Sequence, residues 1–240
     1  MKNIRIVLVE TSHPGNIGGC ARAMKNMGLS QLALVNPLDF PSHEATARAS
    51  GADDVLSTVV VYSSLSSALA DCHWVFGCTA RLRAISTPVI DARDCGKTIA
   101  DKLSSDENIA VVFGRENSGL SNEELDLCHQ LVHIPGNKAY QSLNLAAAVQ
   151  VLSYEIFMAL EEQSVTQLPA RQAVESVTNH ELENFFQHLE QVLVAIRFLD
   201  PKKPKKLMQR LRAFYHRAEP DKTELNILRG ILTETAKSCR

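Results

Sequence analysis

The chain has 240 residues, of which 45% are hydrophobic and 22% are charged, and its formal net charge is −2. This length and balance are typical of a globular protein with one sizeable α/β domain and a smaller second domain, and they exclude a disordered or fibrous chain. No stretch approaches the roughly 18 uninterrupted apolar residues that a membrane span needs, so we expect no membrane partner.

The six cysteines form no Cys-x-x-Cys pair, and no Cys/His cluster has zinc-finger spacing. The sequence therefore predicts no metal site, and we expect buried free thiols in the reducing cytoplasm. The basic start of the chain leads into a short apolar run that Glu10 closes, and no small-residue cleavage site follows. This pattern predicts a strand and not a signal peptide.

Short aliphatic runs alternate with helical patterns through residues 1–163. The first run, Ile4–Val9, is typical of a strand buried on both faces, and a helix predicted over about 17–27 ends at Gly28. Such alternation predicts an α/β fold with a mostly parallel sheet and helices on both of its faces. The further strands are predicted at 32–35, 59–62, 74–77, 109–113 and 131–134, and the further helices at 45–50, 65–70, 94–103, 122–128 and from about 144.

Polar loops follow four of these strands, after Val9, Gly77, Phe113 and Ile134. Ligands of open α/β sheets bind at the carboxyl ends of the strands, so the four loops predict a single pocket. In the last loop, the hydroxyl of Ser142 is predicted to cap the helix that follows.

The glycine-rich loop at 13–19 invites comparison with a dinucleotide-binding fingerprint. It lacks the G-x-G-x-x-G spacing, and no acidic residue follows the second strand, so a Rossmann-type nucleotide enzyme is a disfavoured alternative. Gly15, Gly18 and Gly19 still indicate that something approaches the backbone closely, either a packing partner or a phosphate.

Arginines gather near the predicted strand ends. Arg22 lies one turn into the first helix, where a cation opposes the helix dipole, and Arg81, Arg83 and Arg115 follow later strands. Their convergence at one edge of the sheet predicts an anionic ligand, most simply a nucleic-acid phosphate.

The composition changes after residue 163. Residues 164–177 have no apolar period and contain Pro169, which predicts a linker, and three amphipathic patterns at 179–196, 205–217 and 224–235 predict a small all-helical extension over 178–240. Residues 164–240 hold 13 Lys/Arg against 9 Asp/Glu, whereas 1–163 hold 12 against 18. The basic bias of the extension predicts a polyanionic partner.

Four segments together resemble the motifs of a known family: ETSHPGNIGGCARAMKNMGL, FGCTAR, VVFGRENSGLSNEEL and HIPGNKAYQSLNLAAAVQVLSYE. They are similar to the SPOUT superfamily of RNA methyltransferases, and within it to the bacterial tRNA (cytidine/uridine) 2′-O-methyltransferases that act at position 32 of the anticodon loop. The resemblance covers the whole chain, including ELNILRGIL near the C-terminus. It implies a C-terminal trefoil knot in the sheet domain, a homodimer, and S-adenosylmethionine bound in the knot.

The resemblance also implies roles for individual residues. Arg22 matches the family's catalytic arginine, and Asn144 matches another motif position. We expect the guanidinium of Arg22 to bind a phosphate and stabilise a developing alkoxide, with Ser142 or water taking the proton. Gln141 and Gly19 stand where serine is expected. The cofactor-binding positions are Cys78, Thr79, Ala80, Gly114, Ile134, Gln141, Ser142 and Leu143. The positions expected to contact tRNA are Asn16, Arg81, Arg83, Arg115, Glu116, Lys202, Lys203, Lys205, Lys206, Arg210 and Arg212.

A second class of function stays open at this point. A non-catalytic RNA-binding protein on the same fold would bind tRNA without consuming the cofactor. Methyl transfer to a ribose hydroxyl needs alignment of the two groups and removal of a proton, and it requires no metal.

Overall fold

A computed structural model describes residues 3–80, 87–103, 107–137, 139, 142–165 and 176–238. The strands in these ranges are β1 (Ile4–Val9), β2 (Gln31–Val35), β3 (Val60–Tyr62), β4 (Trp74–Cys78), β5 (Val89–Asp91), β6 (Ile109–Phe113) and β7 (Gln130–His133). The helices are α1 (Pro14–Asn26), α2 (His43–Ala49), α3 (Asp53–Ser57), α4 (Leu65–Leu69), α5 (Ala92–Leu103), α6 (Asn122–Leu125), α7 (Leu145–Val165), α8 (Asn179–Ala195), α9 (Leu207–Ala218) and α10 (Lys222–Ser238).

The strands form one parallel sheet in the order β3-β2-β1-β6-β4-β7-β5. The predicted α/β class and parallel sheet are therefore confirmed. The sequence-based prediction lacks two short elements, α3 and β5. β5 has three residues and pairs with β7 at the edge of the sheet, so it is too short to show a period.

The sheet has an apolar core on each face. In β1, Ile6 and Leu8 join the cluster that contains α1, α2, α5 and α7, whereas Val7 and Val9 join the cluster beneath α4 and α6. Successive side chains of a strand point to opposite faces, so a strand buried on both faces must be apolar at every position. This explains the aliphatic character of β1, in which Arg5 is the one exception and pairs with Asp71 at 2.7 Å.

Glycines in α1 allow neighbouring helices to approach its backbone. A Cβ atom at Gly18 would lie 2.0 Å from the backbone oxygen of Ala45 in α2, and one at Gly19 would lie 2.9 Å from the Cβ of Ala146 in α7. Both glycines thus serve helix packing. Beyond the end of α1, Gly28 adopts φ 70°, the left-handed conformation that ends the helix as predicted.

We expect Gly18→Ala to lower the free energy of unfolding by about 3 kcal/mol or more, because the added methyl group meets rigid backbone. Gly230→Ala is the matched control: Gly230 lies inside α10 with no atom within 4 Å of an added Cβ. This control should raise stability by about 0.5–1 kcal/mol, since alanine favours helix. Urea unfolding measures both, and equal effects of the two substitutions would contradict the packing role.

The three helices predicted for the extension are confirmed. α8 and α9 contact the sheet domain, and α10 packs against α8. The backbone N–H of Asn179 donates to the carbonyl oxygen of Cys72 at 2.7 Å, and the buried rings of His129 and His216 stack with centroids 4.5 Å apart. Helix α7 continues to Val165, so the first two residues of the predicted linker are helical. Residues 166–175 of that linker lie outside the described residues.

Candidate active site

A cavity of about 250 Å³ lies at the carboxyl ends of β4, β6 and β7. Its wall brings together seven of the eight positions expected to bind the cofactor; the eighth, Gln141, lies outside the described residues. The seven are Cys78, Thr79, Ala80, Gly114, Ile134, Ser142 and Leu143. Sequence reasoning did not identify four further apolar residues of the wall, Phe113, Leu120, Leu145 and Ala148.

The loop after β6 is folded back on itself at the cavity. A Cβ atom at Gly114 would lie 2.2 Å from the carbonyl carbon of Gly119, so only glycine fits there. Arg115 holds the loop from outside: its Nε donates to Glu10 at 2.7 Å, and its two terminal nitrogens donate to Glu124 at 3.0 Å. A bidentate pair of this kind fixes geometry. Arg115, expected to contact RNA, is thus engaged within the chain.

Glu116 connects the same loop to the start of α1. Its carboxylate accepts hydrogen bonds from the backbone N–H and the hydroxyl of Ser12, from the N–H of His13 and from the amide of Asn16, at 3.0–3.4 Å. The amide of Asn144 then donates to Asn16 Oδ1 at 3.0 Å. Asn16 and Glu116 therefore connect two segments of the wall, the loop after β6 and the start of α7, through the start of α1. This position suits residues that shape the site.

The hydrogen bonds to Glu116 favour its charged form. Burial by itself raises the pKa of this carboxyl group, but the donors from Asn16, from the Glu116 backbone and from Ser12 outweigh burial, and the pKa lies below its usual value. A lowered folded-state pKa means that the stabilisation is present above the unfolded-state pKa of about 4.3 and is lost as the pH falls through the folded-state pKa.

We therefore expect Glu116→Gln to destabilise the protein by about 1–3 kcal/mol at pH 7, because the amide nitrogen faces donors that only an oxygen satisfies. The difference from the unsubstituted protein should shrink as the pH falls below about 4. Urea unfolding at several pH values measures it, with Glu190→Gln at an exposed position of α8 as the control. A difference independent of pH would contradict this role.

The helix after the cavity is capped by Asn144, and the prediction that Ser142 caps it is wrong. Asn144 Oδ1 accepts the N–H of Ala146 at 2.9 Å, and its carbonyl oxygen accepts the N–H of Ala148 at 2.9 Å. The hydroxyl of Ser142 is consequently not used as the cap. Ser142 is exposed and lines the cavity.

Arg22 does not line this cavity. It is exposed on α1, beside a shallow groove that Gly19, Ala146 and Gln150 also line, and it forms no ion pair or hydrogen bond with the described residues. The two predicted catalytic residues, Arg22 and Ser142, are thus not brought into one pocket within a single chain.

The remaining RNA-contact positions fall into three groups. Arg81 and Arg83 lie outside the described residues. The guanidinium of Arg212 forms two hydrogen bonds with Glu183 and lies 4.4 Å from the ring centroid of Phe186, so it stabilises the contact of α9 with α8. The exposed positions are Lys202, Lys203, Lys205 and Lys206, before α9, and Arg210 within it.

The chemistry of the cavity is that of a binding site and not of a thiol nucleophile or a phosphate cradle. Burial raises the pKa of Cys78 to about 12, which keeps the thiol protonated at neutral pH. Arg115, the one Lys or Arg among the described residues of the wall, is already bound by two carboxylates. In the part of the chain that the structure describes, no group of three or more His, Cys, Asp or Glu side chains could hold a metal ion.

Comparison with known proteins gives the family. Residues 3–154 match the model of the SpoU rRNA Methylase family, and residues 180–240 match that of the tRNA methyltransferase TrmJ, C-terminal domain. The chain belongs to the SpoU family of RNA methylases. The methyltransferase class predicted from the sequence motifs is thereby confirmed. None of the helices described for this SpoU-family methylase combines the length and apolar character needed to cross a membrane.

Three similar proteins illustrate the relationship of this SpoU-family methylase to others. The tRNA (cytidine/uridine/adenosine-2′-O-)-methyltransferase TrmJ of Pseudomonas aeruginosa is 52% identical over 247 residues, covering 100% of this chain and 96% of the relative. The crystal structure of TrmJ from Z. mobilis ZM4 has a TM-score of 0.82 at 31% identity and covers 96% and 97% of the two chains. The AviRb methyltransferase of Streptomyces viridochromogenes, solved in complex with AdoMet, shares the fold at a TM-score of 0.53 and 20% identity, over 70% and 63% of the chains.

Proposed function

We propose that this SpoU-family methylase transfers a methyl group from S-adenosylmethionine to the ribose 2′-OH of a cytidine or uridine at position 32 in the anticodon loop of tRNA, in the bacterial cytoplasm. The observation that carries the proposal is the cavity at the ends of β4, β6 and β7, which collects seven of the eight positions that the family resemblance assigns to the cofactor. The full-length relative from Pseudomonas aeruginosa, named a tRNA 2′-O-methyltransferase, supports the same reaction class.

The cavity suits a nucleoside that carries no polyphosphate. Its apolar wall offers Phe113, Leu120 and Ile134 to a flat ring, and its only described cation, Arg115, is held by Glu10 and Glu124. A pyrophosphate would need free cations or free helix N–H groups. At the start of α1, Glu116 already accepts the N–H groups of the preceding loop, and His13 caps the helix. These contacts argue against the dinucleotide alternative.

When bound, S-adenosylmethionine supplies an electrophilic methyl group on a sulfonium. The residues of this chain then align the 2′-OH with that methyl group and help to remove the proton of the 2′-OH. Ser142 is exposed at the cavity wall, where its hydroxyl is free to accept a hydrogen bond from the ribose. A guanidinium keeps its charge in proteins, so Arg22 contributes as a cation that binds phosphate and stabilises developing negative charge.

Arg22 reaches the cavity most simply from a second copy of the chain. It lies outside the cavity of its own chain, beside Ala146 and Gln150 of α7, and further along that helix Tyr154 and Met158 expose 47% and 37% of their area. An apolar face beside an unpaired arginine suits a two-fold interface that buries the face and carries each arginine to the partner's cavity. We therefore include a homodimer in the proposal.

The order of the strands supports the knot that the family resemblance implies. β7 lies between β4 and β5, although β4 and β5 follow one another along the chain. Knots are rare among proteins, and this strand order is compatible with a threaded path.

Incubation with unmodified tRNA and methyl-labelled S-adenosylmethionine, followed by nucleoside mapping, tests the proposal. We expect label in 2′-O-methylcytidine or 2′-O-methyluridine at position 32. Label in a base would contradict the 2′-O assignment, and tRNA binding without transfer would favour the non-catalytic alternative. Calorimetric titration with S-adenosylmethionine and with NAD separates the methylase from a dinucleotide enzyme.

A further inference from the structure

An exposed stripe on α9 combines cations with one aromatic ring. Lys206 precedes the helix, and Arg210, Phe214 and Arg217 follow at intervals of four, four and three residues, which places them along one helix face. All four side chains are exposed, and Phe214 exposes 52% of its area. We refer to these four residues as the α9 stripe.

Within the described residues, the side chains of the stripe form no hydrogen bond or ion pair with another element, and the ring of Phe214 contacts Tyr215 of the same helix at a centroid distance of 5.2 Å. The opposite side of the helix holds α9 in place, because Ala213 and His216 are buried and Arg212 binds Glu183 of α8. Substitutions within the stripe are therefore expected to leave the fold intact. Packing of α9 therefore does not explain why these four residues are present on its exposed side.

The cations of the stripe are not neutralised. Within the described ranges, Lys206, Arg210 and Arg217 form no ion pair, and the nearest acidic residue along the chain, Glu219, is bound by Lys102 at 2.8 Å. Uncompensated cations in a row attract a polyanion. Charge complementarity thus favours a nucleic acid on this face.

Phe214 adds an exposed aromatic ring to the row of cations. Phe185 and Phe186 of α8 are buried at 1% and 0% exposure, whereas Phe214 of α9 and Phe198, between α8 and α9, are exposed at 52% and 68%. An aromatic face flanked by cations is the arrangement with which proteins stack unpaired bases of a single strand. Arg210 and Arg217 lie about 6 Å and about 4.5 Å from Phe214 along the helix axis, close enough to bind the phosphates next to a stacked base.

We propose that the α9 stripe binds an unpaired segment of RNA, with Phe214 stacking on one base and Arg210 and Arg217 binding the flanking phosphates. The inference rests on the proposed function, since the RNA is taken to be the tRNA substrate. It goes beyond a general electrostatic attraction of RNA to the extension, because it assigns an aromatic stacking site. It also excludes Arg212 from RNA binding, since Arg212 is bound to Glu183.

Equilibrium binding of unmodified tRNA at several salt concentrations tests the stripe in the full-length protein. Phe214→Leu should weaken binding by about tenfold without changing the slope of log K against log salt, because stacking releases no counterions. Arg210→Gln and Arg217→Gln should each reduce that slope by about 1. Ile227→Ala, which removes an apolar side chain 59% exposed on α10, is the control and should leave affinity and slope unchanged.

A stacking signature provides a second readout. Phe214→Trp should bind tRNA as well as the unsubstituted protein does, and its added indole fluorescence should be quenched by tRNA, with Trp74 of the unsubstituted protein as the reference. Unchanged tRNA affinity in Phe214→Leu, or an unquenched indole in Phe214→Trp, would overturn the inference and assign the surface to another partner. Failure of the unsubstituted protein to bind or methylate tRNA would instead overturn the proposed function.

Discussion

Arg22→Lys is expected to reduce the single-turnover rate of methyl transfer by about 10²-fold, the cost of losing one well-placed donor to a developing negative charge. Lysine keeps the charge but loses the planar pair of donors with which arginine binds phosphate. The substitution should not alter folding, because Arg22 is exposed and forms no ion pair with the described residues. Rapid mixing of preformed enzyme and tRNA with labelled cofactor measures the rate.

Arg48→Lys is the matched control, since Arg48 is also an exposed arginine on a neighbouring helix, α2. It should leave the rate unchanged. A lysine variant at position 22 with the rate of the unsubstituted enzyme would refute the role given to Arg22.

Mixing of two inactive variants extends this test to the homodimer. If Arg22 acts in the partner's cavity, an equal mixture of Arg22→Ala with a variant defective in its own cavity should recover about a quarter of the active sites after subunit exchange. If Arg22 acts within its own chain, no activity returns. Recovery therefore separates the two arrangements without a structure of the complex.

The positions of the strands were predictable because they follow from local pattern. A strand buried on both faces has to be apolar at nearly every residue. β6 meets this requirement throughout, and β1 meets it except at Arg5. The carboxyl ends of parallel strands lie at one edge of the sheet, so the place of the cavity followed from the same pattern. Three of the four predicted loops line the cavity, whereas the described residues of its wall include none from the loop after Val9. The sequence did not indicate β5, because a strand of three residues is too short to show a hydrophobic pattern, and its Val89 and Asp91 are exposed.

The choice between Ser142 and Asn144 as the cap could not be made locally, since serine and asparagine are both good N-cap residues. Asn144 is selected by Asn16, which lies 128 positions away along the chain. The side-chain oxygen of Asn16 accepts a hydrogen bond from the side-chain amide of Asn144, and the side-chain oxygen of Asn144 is left to accept the N–H of Ala146. Arg212 presents the same difficulty. Its place in a basic run indicated RNA contact, and only the packing of α9 on α8 places it against Glu183.

Gly114→Ala is expected to weaken S-adenosylmethionine binding by about 100-fold or more. The added Cβ atom would lie 2.2 Å from the carbonyl carbon of Gly119 and 2.3 Å from the nitrogen of Leu120, so the loop that forms this wall of the cavity must move. Overpacking of this kind typically costs about 1–3 kcal/mol of stability, which leaves a folded protein whose site is displaced. Calorimetric titration measures the affinity, and urea unfolding confirms that the variant is folded.

Gly136→Ala is the control for Gly114→Ala. It shows whether any glycine-to-alanine substitution in the cofactor loops weakens binding, or only the one at Gly114. Gly136 lies in the loop after β7, and an added Cβ atom there meets no atom of the described residues within 4 Å. Its affinity for S-adenosylmethionine should equal that of the unsubstituted protein. A folded Gly114→Ala variant with unchanged affinity would place the cofactor away from the loop after β6, because displacement of a wall that contacts the ligand must alter binding.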